Sequence, residues 1–159
     1  MSLAQKITED LKTALKNSDT LGVSVLRMLS AALHNRQIEK RTRLSKEGKP
    51  PEPLTEEEEL EVALAELKKR KEAKEAYQLA GRKDLADKEE AELNIISRYL
   101  PSQLSEKELD EFIQEAIKNT NASSPKDLGR VMGYLAGKVK GRADLSEVSR
   151  RVIKILESK

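Results

Sequence analysis

Apolar residues recur at intervals of three and four along most of this chain, the spacing that places side chains on one face of an α-helix. Only seven of the 159 residues are glycine, and the straight-chain residues that favour helices dominate the remainder. The sequence therefore predicts an all-α protein, in which an N-terminal four-helix unit is followed by a C-terminal three-helix bundle.

Short residue patterns predict where these helices begin and end. Gly81 is placed as a C-terminal helix stop, and a later helix must end before Pro101. We predict an N-terminal helical domain at 1–100 and a three-helix tail domain at 101–159. Helix starts are predicted from capping boxes, in which Ser or Thr is followed three residues later by Glu or Gln: Ser2 with Gln5, Thr55 with Glu58, and Ser105 with Glu108.

The helical pattern stops between about Thr42 and Leu54. Gly48 and three prolines occur there among Lys and Glu residues. A segment of this composition buries too little apolar surface to order itself. We therefore predict a flexible surface loop over about 42–54.

The composition argues against most kinds of catalytic centre. The absence of cysteine excludes disulfides, cysteine-ligated metal sites and a thiol nucleophile. A Ser-His-Asp triad or a histidine-rich metal centre would depend on His34 alone, and no carboxylate is fixed beside it by spacing. The run Glu56–Glu59 fans around a helix instead of converging on a cation. We predict no catalytic residue, no metal and no cofactor.

The chain carries no pattern typical of a membrane or secreted protein. No stretch approaches the ~18 uninterrupted apolar residues of a transmembrane helix. The first residues lack the apolar core of a signal peptide. We expect a soluble, cytoplasmic protein without a membrane partner.

Positive charge is concentrated at the C-terminal end. Residues 122–159 contain nine Lys or Arg and four Asp or Glu, a net charge of +5, whereas the first 121 residues carry −3. A basic segment that follows an acidic body indicates an anionic partner for that segment.

The sixth predicted helix contains a regular repeat of glycine. Gly129, Gly133, Gly137 and Gly141 recur every four residues. The three that fall inside the helix each cost about 1 kcal/mol relative to alanine. On a helical wheel they lie largely outside the apolar stripe. Two explanations are open: close approach of a neighbouring helix, or close approach of the backbone of a ligand.

Cationic residues and one tyrosine border this glycine repeat. Arg130, Lys138, Lys140 and Arg142 would neutralise phosphates, and Tyr134 would offer a surface on which a base can stack. Under the second explanation, these residues and the four glycines together form a nucleic-acid-binding site.

Three segments resemble one known family, the GatB/YqeY family. They are Leu128–Asp144 (LGRVMGYLAGKVKGRAD), Leu26–Leu33 (LRMLSAAL) and Tyr99–Leu104 (YLPSQL). The chain is identified as a member of the stand-alone, YqeY-like branch, and the similarity spans nearly its whole length. Members of this branch resemble the helical and tail domains of the B subunit of the tRNA-dependent amidotransferase.

The resemblance implies a tRNA partner and a tail domain that holds the body of a tRNA. The amidotransferase domain that binds ATP and performs transamidation has no counterpart in this chain. The family label, carbon–nitrogen ligase with glutamine as amido-N-donor, would therefore come to this protein only through its relation to the amidotransferase. Its own residues do not support independent catalysis. The main expectation is a non-catalytic tRNA-binding or tRNA-handling accessory protein. The alternative is an adaptor that docks on an aminoacyl-tRNA synthetase or an amidotransferase component.

Overall fold

The computed structural model describes residues 1–159 and confirms the prediction of an all-α protein. The chain divides into two compact units, Met1–Leu100 and Pro101–Lys159. No helix is long and apolar enough to cross a membrane. The seven helices are α1 (Leu3–Lys16), α2 (Thr20–Lys46), α3 (Glu56–Leu79), α4 (Lys83–Ser97), α5 (Glu106–Thr120), α6 (Leu128–Val139) and α7 (Leu145–Glu157), with one 3₁₀ turn, Pro125–Asp127, before α6.

The first unit contains α1 to α4 around one apolar core. Ile7, Leu29, Leu67 and Ile96, one from each helix, are almost fully buried. Burial of these side chains supplies the main stabilisation, at about 1.5–3 kcal/mol for each large aliphatic residue. Leu15, near the end of α1, is 49% exposed and lies outside this core.

An ionic cluster fastens α3 to α4 beside this core. The Arg70 guanidinium lies 2.8 Å from a Glu92 carboxylate oxygen, 3.7 Å from Glu66 and 3.8 Å from Glu89. All four side chains are largely buried. Arg70 is the cation of this set, so its removal would leave the largely buried Glu89 and Glu92 carboxylates of α4 without this positive partner.

The predicted loop at 42–54 starts later than expected. Helix α2 continues to Lys46, because Leu44 packs into the protein and is buried. The segment that follows is hydrogen-bonded back to α2. Gln37 accepts a bond from the Leu54 amide at 2.9 Å, and Lys40 donates to the Pro53 carbonyl at 2.8 Å. These hydrogen bonds attach the end of the segment to α2, and its flexibility stays a prediction.

The predicted helix starts and stops match the structure closely. All three capping boxes form, at Ser2, Thr55 and Ser105. Gly81 ends α3 with a φ of +70°, a left-handed conformation that favours glycine. Helix α4 ends at Ser97, before Pro101.

The second unit contains α5, α6 and α7 around a separate core. Ile113 of α5, Leu135 of α6 and Val152 of α7 are fully buried there. The sixth predicted helix begins as the 3₁₀ turn and becomes α-helical at Leu128. In this unit, one face of α6 packs against the core and the opposite face is exposed to solvent.

Candidate nucleic-acid interface

Helix α6 has two faces of opposite character. Val131, Leu135 and Val139 recur every four residues and are fully buried. The glycines at 129, 133 and 137 occupy the opposite side and are exposed. The wheel-based prediction that the glycine repeat lies outside the apolar stripe is therefore correct.

The glycine face of α6 is not covered by any part of this chain. A Cβ atom added at Gly129, Gly133 or Gly137 would meet no heavy atom within 4 Å. Close packing of a neighbouring helix of the same chain therefore does not explain these three residues. Gly141 is different, because it lies past the end of α6 with a φ of +68°, where glycine is the favoured residue.

Lys138 belongs to a polar cluster between α6 and α5. Its ammonium donates to a Glu115 carboxylate oxygen at 3.0 Å and to the Tyr134 hydroxyl at 3.2 Å. The hydrogen bond from Lys138 is the main cause of a lowered pKa for Glu115, and the bond to Glu115 is the main cause of a raised pKa for Lys138. Both groups stay charged at neutral pH.

Tyr134 belongs to the same cluster, and the stacking role expected of it stays a prediction. Its ring packs partly against the core of the second unit. The Lys138 ammonium lies 4.7 Å from the ring centroid, a cation–π contact. Its hydroxyl donates to Glu115 at 3.1 Å and accepts from Asn119 at 2.8 Å. These contacts use Tyr134 to position Lys138 on the surface.

Arg130 is paired with a carboxylate one turn before it. Its guanidinium donates to Asp127 at 2.6 Å, and its side chain is 59% exposed. The amides of Ser123 and Ser124 also donate to Asp127. These amide bonds, of which the one from Ser123 is the largest cause, together with Arg130 lower the pKa of Asp127 to about 2. Asp127 is therefore ionised at every physiological pH.

The two remaining predicted cations differ in their surroundings. Lys140 is exposed just after α6. Arg142 is partly buried and donates from Nε to the Ser102 carbonyl at 2.9 Å. The Leu104 amide donates to the carbonyl of Arg142 at 3.0 Å. Arg142 thus also holds the segment that precedes α5.

Helix α7 adds positive charge to the same unit. Arg150 and Lys154 are exposed. Arg151, by contrast, lies 2.9 Å from Glu147, 3.2 Å from Asp110 and 3.4 Å from Glu106, so carboxylates from α5 and α7 neutralise it.

The main chain of α6 is exposed at its three glycines, and the cations beside it form only weak ion pairs with carboxylates. Ion pairs between exposed side chains contribute only about 0–1 kcal/mol. A phosphate can therefore displace Glu115 or Asp127 at little cost in stability. Sequence reasoning missed Glu115 and Asn119, because they come from α5 and no spacing within α6 indicates them. The pairing of Asp127 with Arg130 was detectable, since residues three apart are neighbours on a helix.

Two comparisons with known proteins identify relatives of this sequence. A family model described as "Yqey-like protein" matches residues 4–156. The chain is also similar to the "Altered inheritance of mitochondria protein 41, mitochondrial" of Pyrenophora tritici-repentis (strain Pt-1C-BFP). The two are 26% identical over 97% of this chain and 81% of that protein. A mitochondrial location is stated for that relative, and the cytoplasmic location expected for this chain stays a prediction.

Proposed function

This chain belongs to the Yqey-like protein family, and from that premise we propose that it is a non-catalytic tRNA-binding accessory protein. The second unit, 101–159, carries the RNA-binding site. Arg130, Lys138, Lys140 and Arg142 contact phosphates, and the glycines at 129, 133 and 137 let the ribose-phosphate chain approach the main chain of α6. The resemblance to the tail domain of the amidotransferase B subunit supports tRNA as the partner.

The observation that carries this proposal is the open face at Gly129, Gly133 and Gly137. Three glycines inside one helix together cost about 3 kcal/mol relative to alanine. That is a large share of the 5–15 kcal/mol by which a typical domain is stable. Alanine would fit at each position without any contact. The side chains are therefore absent for a reason outside the folded chain, and close approach of a ligand supplies that reason.

The charges around this face favour a polyanion as the ligand. Lys138 and Arg130 both have exposed side chains and both are held in place by hydrogen bonds. Cations that are already positioned lose little side-chain entropy when phosphates replace their present carboxylate partners. Release of counterions from the nucleic acid adds to the affinity and makes it depend on salt.

The test compares two substitutions at Gly133 in the full-length protein. Gly133→Ala should raise the free energy of unfolding by about 1 kcal/mol, because alanine favours the helix and meets no other atom. Gly133→Leu should keep the fold and weaken tRNA binding by roughly tenfold, about 1.4 kcal/mol, because the side chain stands between the RNA and the main chain. Ala76→Leu, at an exposed position of α3, is the matched control for an added side chain.

Binding of bulk tRNA is measured by filter retention at about 50 and 200 mM salt, the range over which phosphate contacts are lost. Gly133→Leu that binds as tightly as the wild type would contradict the proposed site. A wild-type protein without salt-sensitive tRNA binding would contradict the function. Recovery of a protein partner after nuclease treatment would then support the adaptor alternative.

A further inference from the structure

We infer that the outer face of α2 binds the phosphate backbone of double-helical RNA, independently of the site on α6. The inference rests on the proposed function for the identity of the ligand as RNA, and it concerns only residues of the first unit. We define the α2 outer face as nine exposed residues that share one side of the helix: Thr20, Ser24, Arg27, Ala31, His34, Ile38, Arg41, Thr42 and Ser45.

The charge of α2 is strongly one-sided. Between Thr20 and Lys46 the helix contains six Lys or Arg residues and a single acidic residue, Glu39. None of the nine residues of the α2 outer face is acidic. Residues 1–100 contain 19 Lys or Arg and 19 Asp or Glu, so the first unit is neutral as a whole and α2 concentrates its positive charge.

Two cations of α2 are paired with carboxylates of this chain. Arg36 pairs with Glu39 at 3.7 Å and with Glu61 at 3.6 Å. Lys40 is buried and pairs with Glu58 at 2.7 Å. These two residues therefore contribute little positive potential to the outer face.

Arg27 and Arg41 are exposed and make no ion pair with any carboxylate of the chain. They are fourteen positions apart, which is about 21 Å along a helix at 1.5 Å per residue. His34 lies midway between them on the same side. The face thus presents unpaired guanidinium groups at two points of a line long enough to contact several phosphates.

The uncharged residues of the face indicate which class of anionic partner fits it. Thr20, Ser24, Thr42 and Ser45 provide hydroxyl groups, which together with arginine make most contacts to phosphate and sugar oxygens. The face has no Phe, Tyr or Trp, and His34 is its only ring on which an unpaired base could stack. Backbone contacts with so little stacking surface fit a double-helical RNA better than a single strand.

Two other classes of partner fit less well. A membrane-binding helix turns a broad apolar side to the lipid, but the apolar side of α2, with Val25, Leu29 and Leu33, is buried in the first unit. The core of a protein interface is rich in apolar and aromatic side chains, and Ile38 is the only large apolar side chain on this face.

The experiment uses the full-length protein and two variants of the α2 outer face. Arg27→Gln with Arg41→Gln removes both unpaired cations, and Ala31→Glu places a carboxylate between them. Lys71→Gln with Lys88→Gln and Ala76→Glu are the matched controls, at exposed helical positions without ion pairs. All five proteins are titrated with an RNA duplex of about 16 base pairs, the length that a compact double-strand-binding domain spans.

The expected result is a loss of duplex affinity that the controls do not show. The double variant should bind the duplex roughly tenfold more weakly at about 50 mM salt. The slope of its log affinity against log salt concentration should be shallower by up to about two, because two phosphate contacts are lost. Ala31→Glu should lose a comparable amount. Variants that bind the duplex as the controls do would overturn the inference, as would stronger binding to a single strand or to phosphatidylserine vesicles.

The outcome separates this inference from the site proposed on α6. Loss of binding in Gly133→Leu, with unchanged binding in the α2 variants, overturns only the α2 inference. Loss in the α2 variants with unchanged binding in Gly133→Leu supports the α2 face and contradicts the α6 site. A wild-type protein that binds no RNA overturns both.

Discussion

At the scale of single residues, the glycines of α6 fall into two kinds. Gly141 has a φ of +68°, so the backbone itself requires it. Gly133 and its neighbours at 129 and 137 lie in a regular helix with open space where a Cβ would be. Only the second kind supports the proposed RNA site, because no contact within the fold requires glycine there.

Lys138 offers a test of whether a phosphate competes with its present partner. Glu115→Gln removes the carboxylate that Lys138 now contacts, at little cost in stability because the pair is exposed. We expect tRNA affinity to rise by roughly threefold, which is about 0.6 kcal/mol. Glu111→Gln, an exposed position on the same helix, controls for the change in net charge. Equal affinity in the two variants would show that Lys138 does not contact the RNA.

Asp127 offers a test by pH. Its folded pKa of about 2 lies below the value near 4 that the carboxyl has in an unfolded chain. A lowered pKa stabilises the fold above pH ~4, and that stabilisation is lost as the pH falls toward 2.

The variant Asp127→Asn should therefore be less stable than the wild type at pH 7. The difference in urea unfolding midpoint should shrink between pH ~4 and ~2, because protonated wild-type Asp127 then resembles the amide. A difference that stays constant over this range would mean that the Asp127 charge does not contribute.

At the scale of helices, the length of α2 differs from the length that the sequence predicts. The sequence predicts an end near Thr42, but Leu44 is buried and the helix reaches Lys46. Two residues of the helix bond the segment that follows: Gln37 donates to the Glu52 carbonyl, and Lys40 donates to the Pro53 carbonyl. Local composition gave no sign of these bonds, since they join residues more than a dozen positions apart.

Lys40 is the residue on which this attachment depends. Its ammonium is buried and bonds both the Pro53 carbonyl and the Glu58 carboxylate. Lys40→Met should lower the free energy of unfolding by about 1–3 kcal/mol, because it removes a donor from the Pro53 carbonyl and the positive partner from the Glu58 carboxylate.

The measurement is chemical denaturation, with limited proteolysis of residues 47–55 as a second readout. Lys46→Met is the control, since Lys46 is exposed and unpaired, and its effect should stay within about 0.5 kcal/mol. A Lys40 variant as stable and as protease-resistant as the control would contradict the attachment.

At the scale of the whole molecule, each unit has its own core. The second unit buries eleven residues from α5, α6, α7 and the loop after α5. Domains of about 55–65 residues often fold alone when they bury such a core. This organisation makes the second unit the natural subject of a separate folding test.

We predict that residues 101–159 expressed alone are helical and unfold in one cooperative transition. Circular dichroism during heating tests this directly. The fragment should also bind tRNA with a salt dependence like that of the α6 site in the full chain, because every residue of that site lies within it. A broad, non-cooperative melt would contradict an independent core.

Much of this protein could be read from its sequence, because helix starts, helix stops and the side on which a residue lies are local properties. The capping boxes at Ser2, Thr55 and Ser105, the stop at Gly81 and the outward position of the glycine repeat all follow from residues within a few positions of one another.

Other features depend on residues far apart in the chain, and only the folded structure decided them. It determined that the glycine face is left open, that Tyr134 and Glu115 bond Lys138, and that Lys40 donates to the Pro53 carbonyl. Each of these contacts joins separate helices or a helix and a loop. Periodicity describes one helix at a time, so it specifies the face that a residue occupies but not the group that faces it.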